Sequence, residues 1–402
     1  MQEKKDFNLK NNIDELDSLK GWIAVGGAFF ATFVCFGILY SFGAFFDSMS
    51  SEFQVGRSAT SAMFGITTFI FLMVGMVSGS ATDRLGPKPV LILGGVIMGL
   101  GLYLTSLVTS IWVGYITYGL GVGIGVSCGY VPMLAVVSAW FEKRRAVAVG
   151  IAVTGIGFGT LLMAPLAANL ISRFGWRQTF VIFAVLSSLI LVLCGIFMPR
   201  PPLAVSQEPK LSKMELIKMP VFRFLYIAAF LNTLAIYFPF VFLIPYARAQ
   251  GISDVAAATL VGLIGAASVV GRLGFGAMGV RFSSIRLFLS AYFLLAISFS
   301  IWLVAGNSYY LLVAFVLVLG TAYGGIIALA PTVSAELFGL VGLGGILGTL
   351  YTAAGFAGLV GSPMAGYIID FTGNYTFAIV VYMIFGLLAW LALVPVQRIM
   401  RR

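Results

Sequence analysis

Arg272 is the one cationic side chain in the apolar run from Val255 to Val280, and no acid shares that run with it. A guanidinium in hydrocarbon is costly, so such residues face a bundle interior or a wet cavity and mark the path of an ion or ligand. Its planar fork of donors also suits two-point recognition of a carboxylate. Arg272 is therefore read first as an anion site, the alternative being a structural residue paired with backbone carbonyls. Other reactive chemistry is scarce. The chain has no histidine, which removes Ser-His-Asp and Cys-His catalysis and most zinc sites. Cys35, Cys128 and Cys194 fall in apolar runs without metal-ligand spacing and read as small apolar residues. No GxxxxGK[ST] loop is present, so an ATP-driven pump is a poor reading. The glycines of Gly119 to Gly129 and Gly150 to Gly159 read as positions of close helix approach. No catalytic residue, metal site or cofactor is expected.

The elements that must hold Arg272 follow from composition. With 60% hydrophobic and 9% charged residues, the chain is a polytopic membrane protein rather than a soluble domain. Apolar stretches of about 20 residues, the length that crosses the bilayer as a helix, recur along its whole length. Twelve are expected, all α-helical because lipid offers no partner to an unpaired backbone group. The polar stretch around Glu208, Lys210, Lys213 and Lys218 divides them six and six. The expected organisation is a cytoplasmic segment 1–21, a six-helix half 22–198, a linker 199–221, a second six-helix half 222–397 and a tail 398–402. Only Arg57, Arg173, Arg177 and Arg248 of the 24 lysines and arginines fall on the side away from the N-terminus, apart from the intramembrane Arg272. The positive-inside rule then puts both termini in the cytoplasm of a cell-membrane protein. The net charge of +10 is explained by topology and contact with anionic lipid, and nucleic acid is not expected as a partner. Residues 1–20 mix Lys with Asp and Glu and have no signal-peptide core, so the first span is expected to stay as a helix.

The two expected halves repeat one another. Gly150, Thr154, Gly157, Pro165 and Ala167 recur at a constant offset as Gly348, Thr352, Gly355, Pro363 and Ala365, and Pro132 is echoed by Pro331. Duplicated halves with substrate between them are the architecture of secondary transporters. The stretch Gly79-Ser80-Ala81-Thr82-Asp83-Arg84-Leu85-Gly86-Pro87-Lys88 resembles the GxxxDRxGRR signature of the major facilitator superfamily, and the resemblance implies that Asp83 and Arg84 latch the cytoplasmic gate. Trp140-Phe141-Glu142-Lys143-Arg144-Arg145, followed by Ala148, Gly150, Ala152 and Gly155, resembles the [YW]FxKRRxxAxGxAxxG signature of the monocarboxylate transporter family. Asp17 with Gly21-Trp22 is a partial match to that family's element before the first span. Val270-Gly271-Arg272-Leu273-Gly274-Phe275 places Arg272 where the family carries its substrate arginine. The resemblance implies transport of lactate or pyruvate together with a proton. Two positions depart from it: Tyr40 stands where animal members have a lysine, and Ser268 where they have an aspartate, so the proton route of those members cannot be copied.

One buried cation balances one carboxylate better than two, since an uncompensated buried charge is strongly penalised. Gly342 to Ile369 holds no Lys or Arg, whereas oxalate-type exchangers of the family carry a second basic residue in that span. The expected partners are thus a small monocarboxylate anion, a proton and the bilayer. A dicarboxylate or oxalate exchanger is the second reading, a passive anion channel a third, and a transport-inactive sensor a fourth. Counting about 1.5 Å per helical residue from the cytoplasmic ends nominates Asn232 and Tyr323 as neighbours of Arg272, then Tyr118, Tyr40 and Thr352. For each of these, a packing role is the alternative. Glu336, within a turn of its helix end, is read as a gate or interface charge.

Overall fold

In lipid each backbone N–H and C=O has to be paired within its own segment, and the computed structural model is built accordingly. It describes residues 16–142, 144–202, 213–279, 281–339 and 343–400, and among these no strand occurs. The helices are α1 (Leu19–Tyr40), α2 (Phe42–Phe53), α3 (Arg57–Leu85), α4 (Pro87–Ser106), α5 (Ile111–Gly129), α6 (Val131–Trp140) and α7 (Arg145–Phe197). After them come the short α8 (Lys213–Lys218), α9 (Pro220–Ala249), α10 (Asp254–Met278), α11 (Ser284–Ala305), α12 (Tyr309–Phe338), α13 (Leu343–Thr372) and α14 (Tyr375–Met400). Lys143 of the arginine-rich motif, residues 203–212 of the expected linker and the first 15 residues lie outside the described residues.

Among the described residues, 11 helical segments are long and apolar enough to cross a membrane. The difference from the expected twelve lies in α7. The segments expected as the fifth and sixth spans run on as one 53-residue helix, whose backbone leaves helical geometry only at Gly175 (φ 78°, ψ 164°). A positive φ costs glycine little, so the chain turns there without a loop that would end the helix assignment. The expected first span is divided at Ser41 into α1 and α2, which together form one apolar segment, Leu19–Glu52. The expected fourth is broken at Tyr130 (φ −115°, ψ −78°), two residues before Pro132, because a proline ring clashes with the preceding turn and removes a helical donor.

Close approach between helices is set by glycines. A Cβ on Gly157 of α7 would lie 2.6 Å from the Gly265 carbonyl oxygen of α10, and one on Gly65 of α3 would lie 2.8 Å from the Gly358 oxygen of α13. Those two crossings join helices from the first 200 residues to helices from the last 200. In α10, Gly271 meets the Thr321 backbone, and Gly324 of α12 meets the Ser268 carbonyl, so α10 and α12 touch backbone to backbone beside Arg272. Small residues at crossings of this kind let helices associate through dispersion where lipid supplies no hydrophobic drive.

Candidate functional site

Arg272 lies on the face of α10 that these glycines press against α7 and α12. Its side chain is buried at 9% exposure, and Nη1 donates to the Val153 carbonyl of α7 at 3.3 Å. Nε and Nη2 are buried with no hydrogen-bond partner among the described residues. Leaving two donor nitrogens buried and unmatched costs the desolvation of those groups, a cost that an anionic partner would offset. Tyr40, Tyr130 and Tyr323 are near enough to interact with its charge.

Those three tyrosines also line a cavity of about 170 Å³ enclosed by helices from both ends of the chain. Phe36 and Phe71 contribute from α1 and α3, Asn232 and Tyr237 from α9, and Ser334 and Tyr351 from α12 and α13. No lining residue is charged, and Arg272 itself stands behind the lining tyrosines rather than among the lining residues. The cavity runs from mid-bundle toward the end that carries Leu19 and Met400, where Leu225, Phe288, Val333 and Leu347 flank it. At the opposite end the bundle is shut. Tyr40 stacks on Phe240 with centroids 4.0 Å apart, Phe46 meets Phe242 edge-on at 5.2 Å, and ion pairs join Arg248 to Asp47 at 3.0 Å and Arg57 to Asp370 at 3.3 Å.

The residues nominated from the sequence divide into those at the cavity and those away from it. Tyr40 and Tyr323 meet, hydroxyl to hydroxyl, at 3.1 Å, tying α1 to α12 across the cavity. Asn232 lines the same space, 6% exposed, and its Oδ1 is buried without a partner. Tyr118 does not reach it: its ring is fully buried between Phe42 and Phe180. Thr352 is not among the lining residues either, and shares a 3.0 Å hydrogen bond with Tyr226 of α9. Ser268 donates to the Gly265 carbonyl at 2.7 Å and so satisfies itself within its own helix.

Of the gating residues, Asp83 and Arg84 are exposed at the end of α3 and form no ion pair among the described residues. They precede Gly86, whose φ of 88° allows the turn into α4. Glu336 accepts a 2.7 Å hydrogen bond from Ser284 Oγ at the first turn of α11. A carboxylate there also meets the positive end of a helix dipole, so Glu336 braces two neighbouring helices. Tyr130, Tyr237 and Tyr351 were not singled out from the sequence. Tyr130 carried a usable signal, since an aromatic residue two positions before a mid-span proline sits where the helix must break and turn a side chain inward.

The two elements that resembled family signatures at opposite ends of the N-terminal region are in contact. The Asp17 carboxylate accepts from the backbone N–H groups of Glu142 (3.4 Å) and Arg144 (3.3 Å), and Asp17 N–H donates to the Trp140 carbonyl at 2.9 Å. Trp22 meets Phe141 edge-on at 5.1 Å, and a Cβ on Gly21 would lie 3.0 Å from the Phe141 ring.

Comparison with known proteins agrees with this architecture. The family model described as Major Facilitator Superfamily matches residues 28–305 and 225–400. The chain is 34% identical over 376 residues to Monocarboxylate transporter 13 of Rattus norvegicus, covering 90% of this chain and 85% of that one. It is 29% identical over 395 residues to Monocarboxylate transporter 12 of Xenopus laevis, covering 89% and 84%. Among solved structures, a bacterial homolog of the human lysosomal transporter Spinster, in an inward-facing and occupied conformation, superposes with a TM-score of 0.72 at 16% identity. It covers 93% of this chain and 96% of its own. The chain belongs to the monocarboxylate transporter family of the major facilitator superfamily.

Proposed function

We propose that the protein carries a monocarboxylate across the cell membrane by alternating access, with the carboxylate seated on Arg272. The observation that carries this reading is the buried guanidinium, with Nε and Nη2 unpartnered among the described residues, next to the tyrosines that line an uncharged cavity. A second carboxylate on the ligand would have no cation to meet there, which disfavours a dicarboxylate. Lactate and pyruvate are small members of the class. The chain is taken as two six-helix halves, 22–198 and 222–397, with Gly175 as the turn between a fifth and a sixth span. A continuous helix of 53 residues would extend about 80 Å, far beyond a core of about 30 Å. The excess of Lys and Arg near Leu19 and Met400 supports cytoplasmic termini. The cavity then faces the cytoplasm, with Asp83 and Arg84 at an open gate and the two ion pairs closing the outer side. Closure at one end and access at the other suit a carrier better than a channel.

A proton is the expected companion. Tyr40 and Ser268 offer no carboxylate or ammonium to hold it, so it travels on the substrate carboxyl or exchanges near Arg272 as the anion enters. In proteoliposomes supplied with labelled substrate outside, Arg272→Ala is expected to lower uptake about a hundredfold or more, and Arg272→Lys to restore little because an ammonium lacks the planar fork. Unchanged uptake by correctly inserted Arg272→Ala protein would rule out the arginine as the anion site. An inward proton gradient is expected to accelerate uptake several-fold, and indifference to the gradient would remove the proton from the scheme.

A further inference from the structure

The cavity beside Arg272 presents an environment that lactate and pyruvate do not use. Its walls include the rings of Phe36, Phe71, Tyr130, Tyr237, Phe288 and Tyr351. Tyr130 meets Phe36 edge-on at 4.9 Å and Phe71 at 6.1 Å, so part of that wall is a cluster already in aromatic contact geometry. A three-carbon acid bound at Arg272 would leave most of the 170 Å³ to water held against apolar rings, the arrangement that hydrophobic burial disfavours. A ring on the ligand would displace that water and add edge and face contacts.

Two polar facts narrow the class further. No Asp or Glu is among the cavity's lining residues, so an α-ammonium would be buried without a counter-ion at high cost. Asn232 Oδ1, by contrast, is a buried acceptor with nothing donating to it. The adjacent Thr233 hydroxyl is spent on the Ala229 carbonyl at 2.8 Å, and the Tyr40 and Tyr323 hydroxyls are paired with each other. Among the described lining residues, Asn232 Oδ1 is the one buried side-chain acceptor without a partner, and a neutral O–H on the ligand would satisfy it. Sites built to hydrogen-bond a substrate hydroxyl reject analogues that lack it, because their own buried polar group is then stranded.

We infer that the preferred substrates are aryl-substituted monocarboxylates that carry a hydroxyl and no amino group, with Arg272 holding the carboxylate, the aromatic walls holding the ring and Asn232 accepting from the hydroxyl. This rests on the carboxylate reading of Arg272. The test is a set of four acids with one carboxylate each, titrated against the purified wild-type protein by calorimetry: lactate, 3-phenyllactate, 3-phenylpropionate and phenylalanine. Phenyllactate is expected to bind at least tenfold more tightly than lactate, and at least tenfold more tightly than phenylalanine. It should also exceed phenylpropionate, and Asn232→Leu is expected to bring that last ratio close to one. Lactate binding as tightly as phenyllactate would overturn the inference while leaving the monocarboxylate reading standing. Binding of none of the four by folded protein would overturn the carboxylate reading itself. Equal affinity for phenyllactate and phenylalanine would overturn the exclusion of amino acids, and an unaltered phenyllactate-to-phenylpropionate ratio in Asn232→Leu would overturn the role of Asn232. The comparisons among acids use the wild-type chain, so they hold even if the variant does not fold.

Discussion

Burying a polar atom without a partner costs about 1–3 kcal/mol, and Nε and Nη2 of Arg272 and Oδ1 of Asn232 are such atoms among the described residues. Many serine and threonine hydroxyls of the bundle instead turn back onto carbonyls of their own helices, as Thr67 does on Met63 and Ser298 on Leu295. The Tyr40–Tyr323 pair offers a test at this scale. Tyr323→Phe and Tyr40→Phe each strand the other hydroxyl in a buried setting, whereas the double variant strands neither. Each single change is expected to lower the melting temperature by about 1–3 °C, and the double change by less than their sum. A coupling of about 1 kcal/mol is typical of groups in direct contact. Additive losses would mean that the hydroxyls do not interact.

Among the elements, the segment before α1 and the turn between α6 and α7 act as one unit. Asp17 adopts a left-handed backbone (φ 56°), a conformation that Asp and Asn tolerate better than most residues, and this points its carboxylate at two backbone N–H groups of the turn. Asp17→Ala removes both acceptor contacts and strains the backbone, with an expected cost of about 0.5–2 kcal/mol by analogy with a lost helix cap. Asp17→Asn should recover part of it. Hydrogen exchange of the Glu142 and Arg144 amides is the direct measurement, and faster exchange in the alanine variant than in the asparagine one is expected. The partial match at Asp17 and Gly21-Trp22 and the longer match at Trp140 to Gly155 are, in structural terms, two sides of one contact. Their separation by more than a hundred residues hid this, because sequence spacing carries no record of which helix ends share a face.

For the whole molecule, the ion pairs Arg57–Asp370 and Arg248–Asp47 join helices at the end opposite the termini, and the alternating access proposed above would require that they part. The side chains of Arg57 and Asp370 are 43% and 32% exposed and those of Arg248 and Asp47 17% and 48%, and solvent screening leaves part-exposed pairs of this kind worth about 0–1 kcal/mol. Asp47→Asn with Asp370→Asn is therefore expected to raise the population open at that end about two- to fivefold, an effect that shrinks in high salt. Spin labels at Ser51→Cys and Asn374→Cys would report it as growth of a longer distance. No growth would assign closure to the Tyr40–Phe240 and Phe46–Phe242 contacts alone. Helicity, membrane residence, the family and the singular position of Arg272 were all legible in the residues, because each depends on local composition, period or a single costly charge. Depth along the helices also nominated Tyr40, Tyr323 and Asn232, since rise per residue is constant. The face that each helix turns toward the bundle is set by its neighbours, and that is why Tyr118 and Thr352, matched in depth, face Phe180 and Tyr226 instead of the cavity. The single assignment of α7 through Gly175, the aromatic wall that includes Tyr130, and the two nitrogens of Arg272 left unpaired arise only when distant helices press together. What a side chain meets there is decided by which backbones glycines allow into contact, and that is a property of the packed bundle.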